Sequence, residues 1–269
     1  MSRIQTAFAS LARRGRKALI PFITAGDPSP EFTVPWLHAM VAAGADILEL
    51  GVPFSDPMAD GPVIQRASER ALVHKLGLRG VLDMVAEFRR QDADTPIVLM
   101  GYLNPIECMG YRAFVAAAKN AGVDGVLTVD LPPEEAKEEM LPLLYQAGID
   151  PIFLLAPTST PARIQQADRF GRGYLYYVSL KGVTGASHMD TEDVAARLAA
   201  VRSLTHLPLG VGFGVKDAHT AATIAKFADA VVVGSALVQK IEENLTRPDR
   251  IEAAITSLIV AMREAMESL

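Results

Sequence analysis

The sequence predicts an α/β fold, a TIM-type (β/α)8 barrel formed by one domain that spans residues 1–269. About eight short apolar segments recur along the chain, with helical patterns between them. These segments are apolar at successive positions, as in parallel strands that face helices on one side and a packed barrel interior on the other. No low-complexity stretch or charge block marks a linker, so a second domain is not expected.

An extra helix is expected before the first strand. Ile4, Phe8 and Leu11 recur at helical spacing and lie on one face of that helix. The segment then leads directly into the first predicted strand, Ala18–Thr24.

The predicted strands follow one another at regular intervals. They are Ala18–Thr24, Asp46–Val52, Pro96–Tyr102, Asp124–Asp130, Asp150–Ala156, Tyr174–Ser179, Pro208–Phe213 and Asp229–Gly234. The same four-residue pattern leads into three of these strands: an alanine, a glycine, an apolar residue and an aspartate. It begins at Ala43, Ala121 and Ala147. A glycine at this place can take the left-handed conformation that ends a helix, so the pattern indicates a repeated αβ unit.

Proline and capping side chains mark the helix starts that follow strands one, four and five. The three segments are 27–30 (Asp-Pro-Ser-Pro), 132–135 (Pro-Pro-Glu-Glu) and 159–161 (Ser-Thr-Pro). A short helix is also expected from Ser235, directly after the eighth strand, with its N-terminus directed towards a bound phosphate.

Composition excludes several classes of function. The formal net charge of −5 and the pI near 5.6 give no electrostatic footprint for nucleic acid. No apolar run has the length of a membrane span. Cys108 is the only cysteine, which excludes an internal disulfide and fits a reducing cytoplasm. No metal site is expected, because the histidines lack zinc-site spacing; they are His38, His74, His188, His206 and His219.

Glu49 is the clearest candidate for chemistry. It lies between Leu48 and Leu50 in a predicted strand, where an ionised carboxylate is costly unless it reaches the barrel mouth or a partner. Active sites of such barrels lie where strands end and βα loops begin. Desolvation at that place raises the pKa of a carboxyl group towards neutral pH, where the group can act as a proton donor. The alternative is a carboxylate paired with a buried basic residue or directed outward beneath a helix.

Asp60 lies in the loop that follows, residues 51–62, which is rigidified by three prolines, Pro53, Pro57 and Pro62. It either presents a second carboxylate to the mouth or caps the helix that begins near Pro62. Two carboxyl groups in different environments acquire different pKa values and roles, which favours the first reading. Asp56, in the same loop, is interpreted as a turn residue.

Glycines after the last three strands indicate a phosphate site. The segments are 182–185 (Gly-Val-Thr-Gly, with Thr184 and Gly185), 212–214 (Gly-Phe-Gly, with Phe213 and Gly214) and 234–235 (Gly234 and Ser235). Backbone amides beside glycine can approach an anion closely, and strands seven and eight form the usual phosphate site of this fold. Each glycine alone is typical of a turn; their position after successive strands is the specific signal.

Large apolar side chains on the predicted strands would form the walls of a flat pocket. They are Phe22, Met100, Tyr102, Leu127, Phe153 and Tyr176. Residues of this kind also fill barrels without contacting a ligand, so this part of the prediction depends on the polar residues around it.

These residues together resemble one family, the α subunit of tryptophan synthase. The segment 48–62, which carries Glu49 and Asp60, looks like the signature of that family, and the three glycine segments look like its phosphate-binding turns. The resemblance runs from the first predicted helix to the last. It implies retro-aldol cleavage of indole-3-glycerol phosphate to indole and glyceraldehyde 3-phosphate, in tryptophan biosynthesis.

The resemblance also implies roles and partners. Glu49 would carry the proton transfers, Asp60 would bind the indole N–H, and the walls and glycine turns would hold the indole and the phosphate. This subunit would need no cofactor; pyridoxal phosphate would be bound only by a β subunit, in an α2β2 assembly that is allosterically coupled. The loop 53–60 and a turn at Asn104 and Pro105 would face that partner, and the loops after strands two and six would act as lids.

Other functions remain open from the residues alone. Lys181 would form a Schiff base if the protein were a metal-free sugar-phosphate aldolase of another kind. A catalytically weak regulatory subunit that binds a phosphate ester would share the same glycine turns. A free-standing lyase that releases indole would have the same site residues as the subunit of a complex.

Overall fold

Eight parallel strands close into a barrel in the computed structural model, in the order β1-β2-β3-β4-β5-β6-β7-β8. The structure describes residues 1–178, 191–212 and 214–268. The strands are β1 (Ala18–Thr24), β2 (Leu48–Gly51), β3 (Ile97–Gly101), β4 (Gly125–Thr128), β5 (Asp150–Leu155), β6 (Leu175–Val178), β7 (Leu209–Gly212) and β8 (Ala230–Val233). The predicted barrel is confirmed, although most strands are shorter at their ends than the apolar pattern indicated.

Helices surround the barrel on its outside. They are α1 (Arg3–Arg13), α2 (Pro30–Ala42), α3 (Pro62–Val73), α4 (Leu78–Phe88), α5 (Leu103–Met109), α6 (Tyr111–Ala121), α7 (Pro133–Ala136), α8 (Met140–Ala147), α9 (Pro161–Phe170), α10 (Thr191–Arg202), α11 (Ala218–Ala225), α12 (Ser235–Glu243) and α13 (Ile251–Glu267). A 3-10 turn, Pro248–Arg250, precedes the last of them. No helix in the described ranges has both the length and the hydropathy needed to cross a bilayer.

The helix starts follow the predicted proline signals. Helices α2, α7 and α9 begin at Pro30, Pro133 and Pro161, and the Thr160 side chain accepts a hydrogen bond from the Arg163 amide. One prediction was wrong: Asn104 and Pro105 lie in the first turn of α5 and not in a turn between elements. Proline is compatible with that place, because the first amides of a helix have no partner inside it.

The glycines before strands two, four and five have the backbone conformation that the sequence predicted. Gly44, Gly122 and Gly148 have φ angles of 109°, 87° and 76°. Two of the aspartates that follow bind backbone amides beside neighbouring strands: Asp46 accepts from Leu19 N at 2.9 Å, and Asp124 accepts from Ile97 N at 2.8 Å. Asp150 accepts from the Ser2 hydroxyl instead. In the first two connections, a glycine that ends a helix and an aspartate that fixes the start of a strand are thus two residues apart.

Two apolar layers form the core. The larger lies between the strands and the outer helices, as expected for parallel strands. The smaller fills the barrel interior with inward-facing residues such as Ile20, Val98 and Leu127, together with Ile4 and Leu11 of α1. Helix α1 thus closes the N-terminal end of the barrel, leaving the opposite end, where the strands finish, for a binding site.

Candidate active site

A cavity of about 320 Å³ opens at the C-terminal ends of the strands. Its walls come from strands on both sides of the barrel and from the loops after β2, β7 and β8. The predicted site residues in its lining are Phe22, Asp60, Met100, Tyr176, Gly214, Gly234 and Ser235. The cavity is mainly apolar, and its lining also contains a carboxyl group and glycine turns, which suits a flat aromatic group joined to an anion.

Glu49 is not among the residues that line this cavity; it lies in the barrel interior, beside Phe22, which does line it. It is fully buried on β2, next to Phe22 of β1 in the strand register. The Tyr174 hydroxyl donates a hydrogen bond of 2.5 Å to Glu49 Oε1, whereas Oε2 has no hydrogen-bond partner among the described residues. Within the described ranges the carboxyl group therefore has no basic partner, and its position in the barrel interior excludes the outward orientation of the alternative.

Burial raises the pKa of Glu49 from 4.5 to about 8, and the Tyr174 hydrogen bond opposes only part of that rise. At neutral pH the group is therefore mostly protonated. A pKa close to the working pH allows one carboxyl group both to give and to accept a proton during a reaction cycle.

Asp60 is held by a tyrosine and not by the helix that follows. The Tyr102 hydroxyl donates to Asp60 Oδ2 at 3.1 Å and accepts from the Ala59 amide at 3.0 Å. Gly61 is the N-cap of α3, and no side chain caps that helix. The capping alternative is thus not realised. Burial also raises the pKa of Asp60, while the hydrogen bond from Tyr102 lowers it.

The predicted apolar walls lie in four different places. Phe22, Met100 and Tyr176 line the main cavity. Tyr102 lies behind Asp60, beside a void of about 20 Å³, and Leu127 lies in the barrel interior. Phe153 lies outside the main cavity, because its side chain belongs to the layer between strands and helices and borders a separate cleft of about 580 Å³. Its neighbour Leu154 lines the main cavity instead, as strand alternation requires.

The glycine turns after β7 and β8 reach the cavity. Gly212 and Gly234 line it beside Ser235, at which α12 begins. Gly212 also makes room for a neighbouring ring, since a Cβ atom there would lie 2.0 Å from the Tyr176 hydroxyl oxygen. Phe213, Thr184 and Gly185 lie outside the described residues, as does Lys181.

Several residues of the site were missed from the sequence. Tyr174, the hydrogen-bond donor to Glu49, was noted only as the start of a predicted strand, although it alternates with Tyr176 and so faces the same way. Val232 on β8 could have been found by the same alternation. Ile64 could not, because its place in the cavity depends on how the loop before α3 folds back.

No group of three or more histidine, cysteine or carboxylate side chains that could hold a metal ion occurs within residues 1–178, 191–212 and 214–268. The Cys108 thiol is exposed.

The family model for the tryptophan synthase alpha chain matches residues 8–267. A tryptophan synthase alpha chain from Methylococcus capsulatus is 67% identical over 268 residues, with 100% of each chain covered. One from Nitrosococcus oceani is 61% identical, with coverage of 100% of this chain and 98% of the relative.

Solved structures agree with the sequence relatives. The tryptophan synthase subunit alpha from Legionella pneumophila superposes with a TM-score of 0.94 at 45% identity, and 100% of both chains is covered. An aminoacrylate-bound tryptophan synthase from M. tuberculosis gives a TM-score of 0.87 at 34% identity, with 99% of this chain and 100% of that chain covered. The chain therefore belongs to the tryptophan synthase alpha chain family, whose members serve as the alpha subunit in tryptophan biosynthesis.

Proposed function

We propose that this subunit cleaves indole-3-glycerol phosphate to indole and glyceraldehyde 3-phosphate, with Glu49 and Asp60 as its catalytic residues. The observation that carries the proposal is the pair of carboxyl groups: Glu49 is buried beside the cavity-lining Phe22, and Asp60 lines the same apolar cavity as the glycine turns. Membership of a lyase family supports the reaction class.

The chemistry requires three charge movements. Protonation of indole C3 makes the ring an electron sink, and removal of the proton from the adjacent side-chain hydroxyl drives cleavage of the carbon–carbon bond. The electrons of that bond return to the ring and restore the indole, while the hydroxyl-bearing carbon becomes the aldehyde. Glu49, with its pKa near 8, suits both proton transfers in turn.

Asp60 acts on the other side of the ring. Protonation at C3 places positive charge on the indole nitrogen, and a carboxylate that accepts the N–H hydrogen bond stabilises that charge as it develops. The Tyr102 hydroxyl fixes Asp60 Oδ2, which leaves the other carboxylate oxygen for the ligand. Phe22, Met100 and Tyr176 then form the apolar surface against the ring.

The phosphate provides binding energy remote from the bond that breaks. Gly214, Gly234 and Ser235 line the side of the cavity at which α12 begins, and helix N-termini bind phosphate through free amides and the helix dipole. Thr184, Gly185 and Phe213 complete this part of the proposal on the basis of sequence. Binding there would hold the reacting carbon over Glu49.

The proposed reaction requires no cofactor in this subunit. We further propose that it acts in the cytoplasm as part of an α2β2 complex with a β subunit that carries pyridoxal phosphate. The structures named tryptophan synthase among the relatives support such a partner. Met58, which is 86% exposed in the loop after β2, offers an apolar contact on the side of the molecule where the cavity opens.

The first test is indole release from indole-3-glycerol phosphate by the purified wild type and by Glu49→Gln, each with and without a β subunit. Gln keeps the shape and loses the titratable proton, so substrate binding should survive while turnover falls by at least about a thousandfold. Glu264→Gln makes the same substitution at an exposed position of α13, so it controls for effects of mutagenesis and purification and should retain activity. Wild-type turnover in the Glu49→Gln protein would refute the assignment of Glu49.

A further inference from the structure

We propose that helix α1 positions the catalytic carboxyl group: Phe8 holds the ring of Tyr174, and the Tyr174 hydroxyl holds Glu49. The role of Glu49 in this inference rests on the function proposed above. Tyr174 and Phe8 are then positioning residues, since each acts on the substrate only through Glu49.

Tyr174 reaches across the barrel interior. It directly precedes β6, whereas Glu49 lies on β2, four strands away around the barrel. Its side chain is fully buried, and its hydroxyl donates to Glu49 Oε1 at 2.5 Å. The tyrosine thus connects a catalytic group on one wall to a backbone position on the opposite wall.

Two neighbours fix the Tyr174 ring. Gly210 of β7 leaves space on one side, where an added Cβ atom would lie 3.2 Å from Tyr174 Cδ2. Phe8 of α1 packs against the ring with a centroid separation of 5.9 Å and an interplanar angle of 49°. Such a tilted aromatic pair is favourable and restricts the ring, so removal of Phe8 would free Tyr174 to move away from Glu49.

Helix α1 is itself held firmly against the barrel. The Ser2 hydroxyl donates to Asp150 at 2.5 Å, and Arg3 pairs with Asp124 at 2.8 Å. Ile4 is completely buried among the residues that fill the interior. These contacts tie the helix to the starts of β4 and β5, and they fix the height at which Phe8 meets Tyr174.

The bond from Tyr174 is the only hydrogen bond that the structure shows for the Glu49 carboxyl group, since Oε2 has no hydrogen-bond partner in the described part of the chain. The titratable groups facing it are Tyr174 and, on β6, Tyr176. The pKa of Tyr174 is raised well above 10 by burial, so it remains a donor throughout the working range. Desolvation and the Tyr174 bond are the two influences on the pKa of Glu49, and the bond lowers it.

The test is a titration of the Glu49 carboxyl carbon by ¹³C NMR in the full-length protein labelled at glutamate Cδ, with the signal assigned by its loss in Glu49→Gln. Wild-type Glu49 should titrate near pH 8. Tyr174→Phe should raise the pKa by about one unit, because it removes a hydrogen bond to the carboxylate. Phe8→Leu should raise it by less, and Phe8→Tyr, which keeps the ring, should restore the wild-type value.

Leu11→Ala is the matched control. Leu11 belongs to the same helix and the same buried cluster as Tyr174, but it has no ring to pack against the tyrosine. The Leu11→Ala substitution should lower the free energy of unfolding and leave the pKa of Glu49 unchanged. In a Tyr174→Phe background, Phe8→Leu should cause no further shift, because its effect passes through the lost hydroxyl.

The inference is overturned if folded Phe8→Leu protein titrates as the wild type does, or if Leu11→Ala shifts the pKa equally. Phe8→Met replaces Phe8→Leu should the leucine variant fail to fold. The titration does not depend on turnover. If Phe8→Leu shifts the pKa of Glu49 as expected but the Glu49→Gln enzyme is active, the proposed function alone is refuted. If Glu49→Gln is inactive but Phe8→Leu leaves the pKa of Glu49 unchanged, this inference alone is refuted.

Discussion

Glu49 shows, at the scale of a single residue, how function conflicts with stability. A buried carboxyl group with one unpartnered oxygen is an unfavourable choice for a barrel interior. The sequence already indicated this residue, because an ionised glutamate between two leucines in an apolar strand is costly unless it reaches the barrel mouth or a partner. The donor from Tyr174 could not be predicted in the same way, since it depends on the side chain of a residue 125 positions away.

The stability of the protein should therefore depend on pH through Glu49. Its pKa is raised from 4.5 to about 8 in the folded state, so the folded chain retains a proton that the unfolded chain releases. The contribution of this group to the free energy of unfolding is then fully present below about pH 4.5 and is lost as the pH rises to about 8, by an amount on the order of 5 kcal/mol.

Glu49→Gln tests that linkage because it cannot ionise. The difference in free energy of unfolding between Glu49→Gln and wild type should shift in favour of the variant between pH 5 and pH 8, by on the order of a few kcal/mol. Urea unfolding at the two pH values measures it. Glu264→Gln, at an exposed position, should show no such change. A difference that is constant across this range would contradict the raised pKa.

Tyr102 is the second residue whose hydroxyl serves the site. It connects the loop to β3, because it accepts from the Ala59 amide and donates to Asp60. Tyr102→Phe should lower kcat for indole release by roughly tenfold or more, since a misplaced catalytic group loses rate steeply. Stability should change by about 1 kcal/mol. Unchanged kcat would show that Asp60 is positioned without the hydroxyl.

At the scale of elements, an ion-pair network joins the parts that surround the cavity. Arg70 of α3 binds Asp27, in the loop after β1, at 2.6 and 2.9 Å, and it also contacts Glu242 of α12 at 3.2 Å. Helix α3 follows the Asp60 loop and α12 follows the Gly234 turn. The helix starts were predictable from proline and glycine, but this network was not, because its members are far apart in the chain.

Arg70→Ala should destabilise the protein by about 3 kcal/mol or more, because the Asp27 side chain is completely buried and would lose its charged partner. Arg66→Ala is the matched control: Arg66 is also paired with Glu242 but is 47% exposed, so its loss should destabilise the protein much less than the loss of Arg70. Urea unfolding of both variants at pH 7 distinguishes the two. Equal effects would mean that the buried pair contributes no more than the surface one.

At the scale of the whole molecule, one end of the barrel is closed by α1 and the other end carries the cavity. Local sequence patterns predicted the eight strands, the helices that begin at proline and the extra N-terminal helix. The walls of the cavity were predictable only in part: Phe22 and Tyr176 line it, whereas Phe153 packs outward and Leu154 takes its place. An apolar run gives the position of a parallel strand, but it contains no alternation that tells which side chains face inward.

The closed end of the barrel should carry a large share of the stability through α1. Ile4 is completely buried there and packs where β4 and the start of β6 leave room, since added Cβ atoms at Gly125 and Gly173 would lie 3.0 Å and 3.1 Å from it. The surrounding backbone cannot collapse into the space that a smaller residue would leave. Ile4→Ala should therefore lower the free energy of unfolding by about 3 kcal/mol. Thr6→Ala, at an exposed position of the same helix, should change it by less than about 0.5 kcal/mol. Equal unfolding midpoints for the two variants would mean that α1 only covers the barrel without stabilising it.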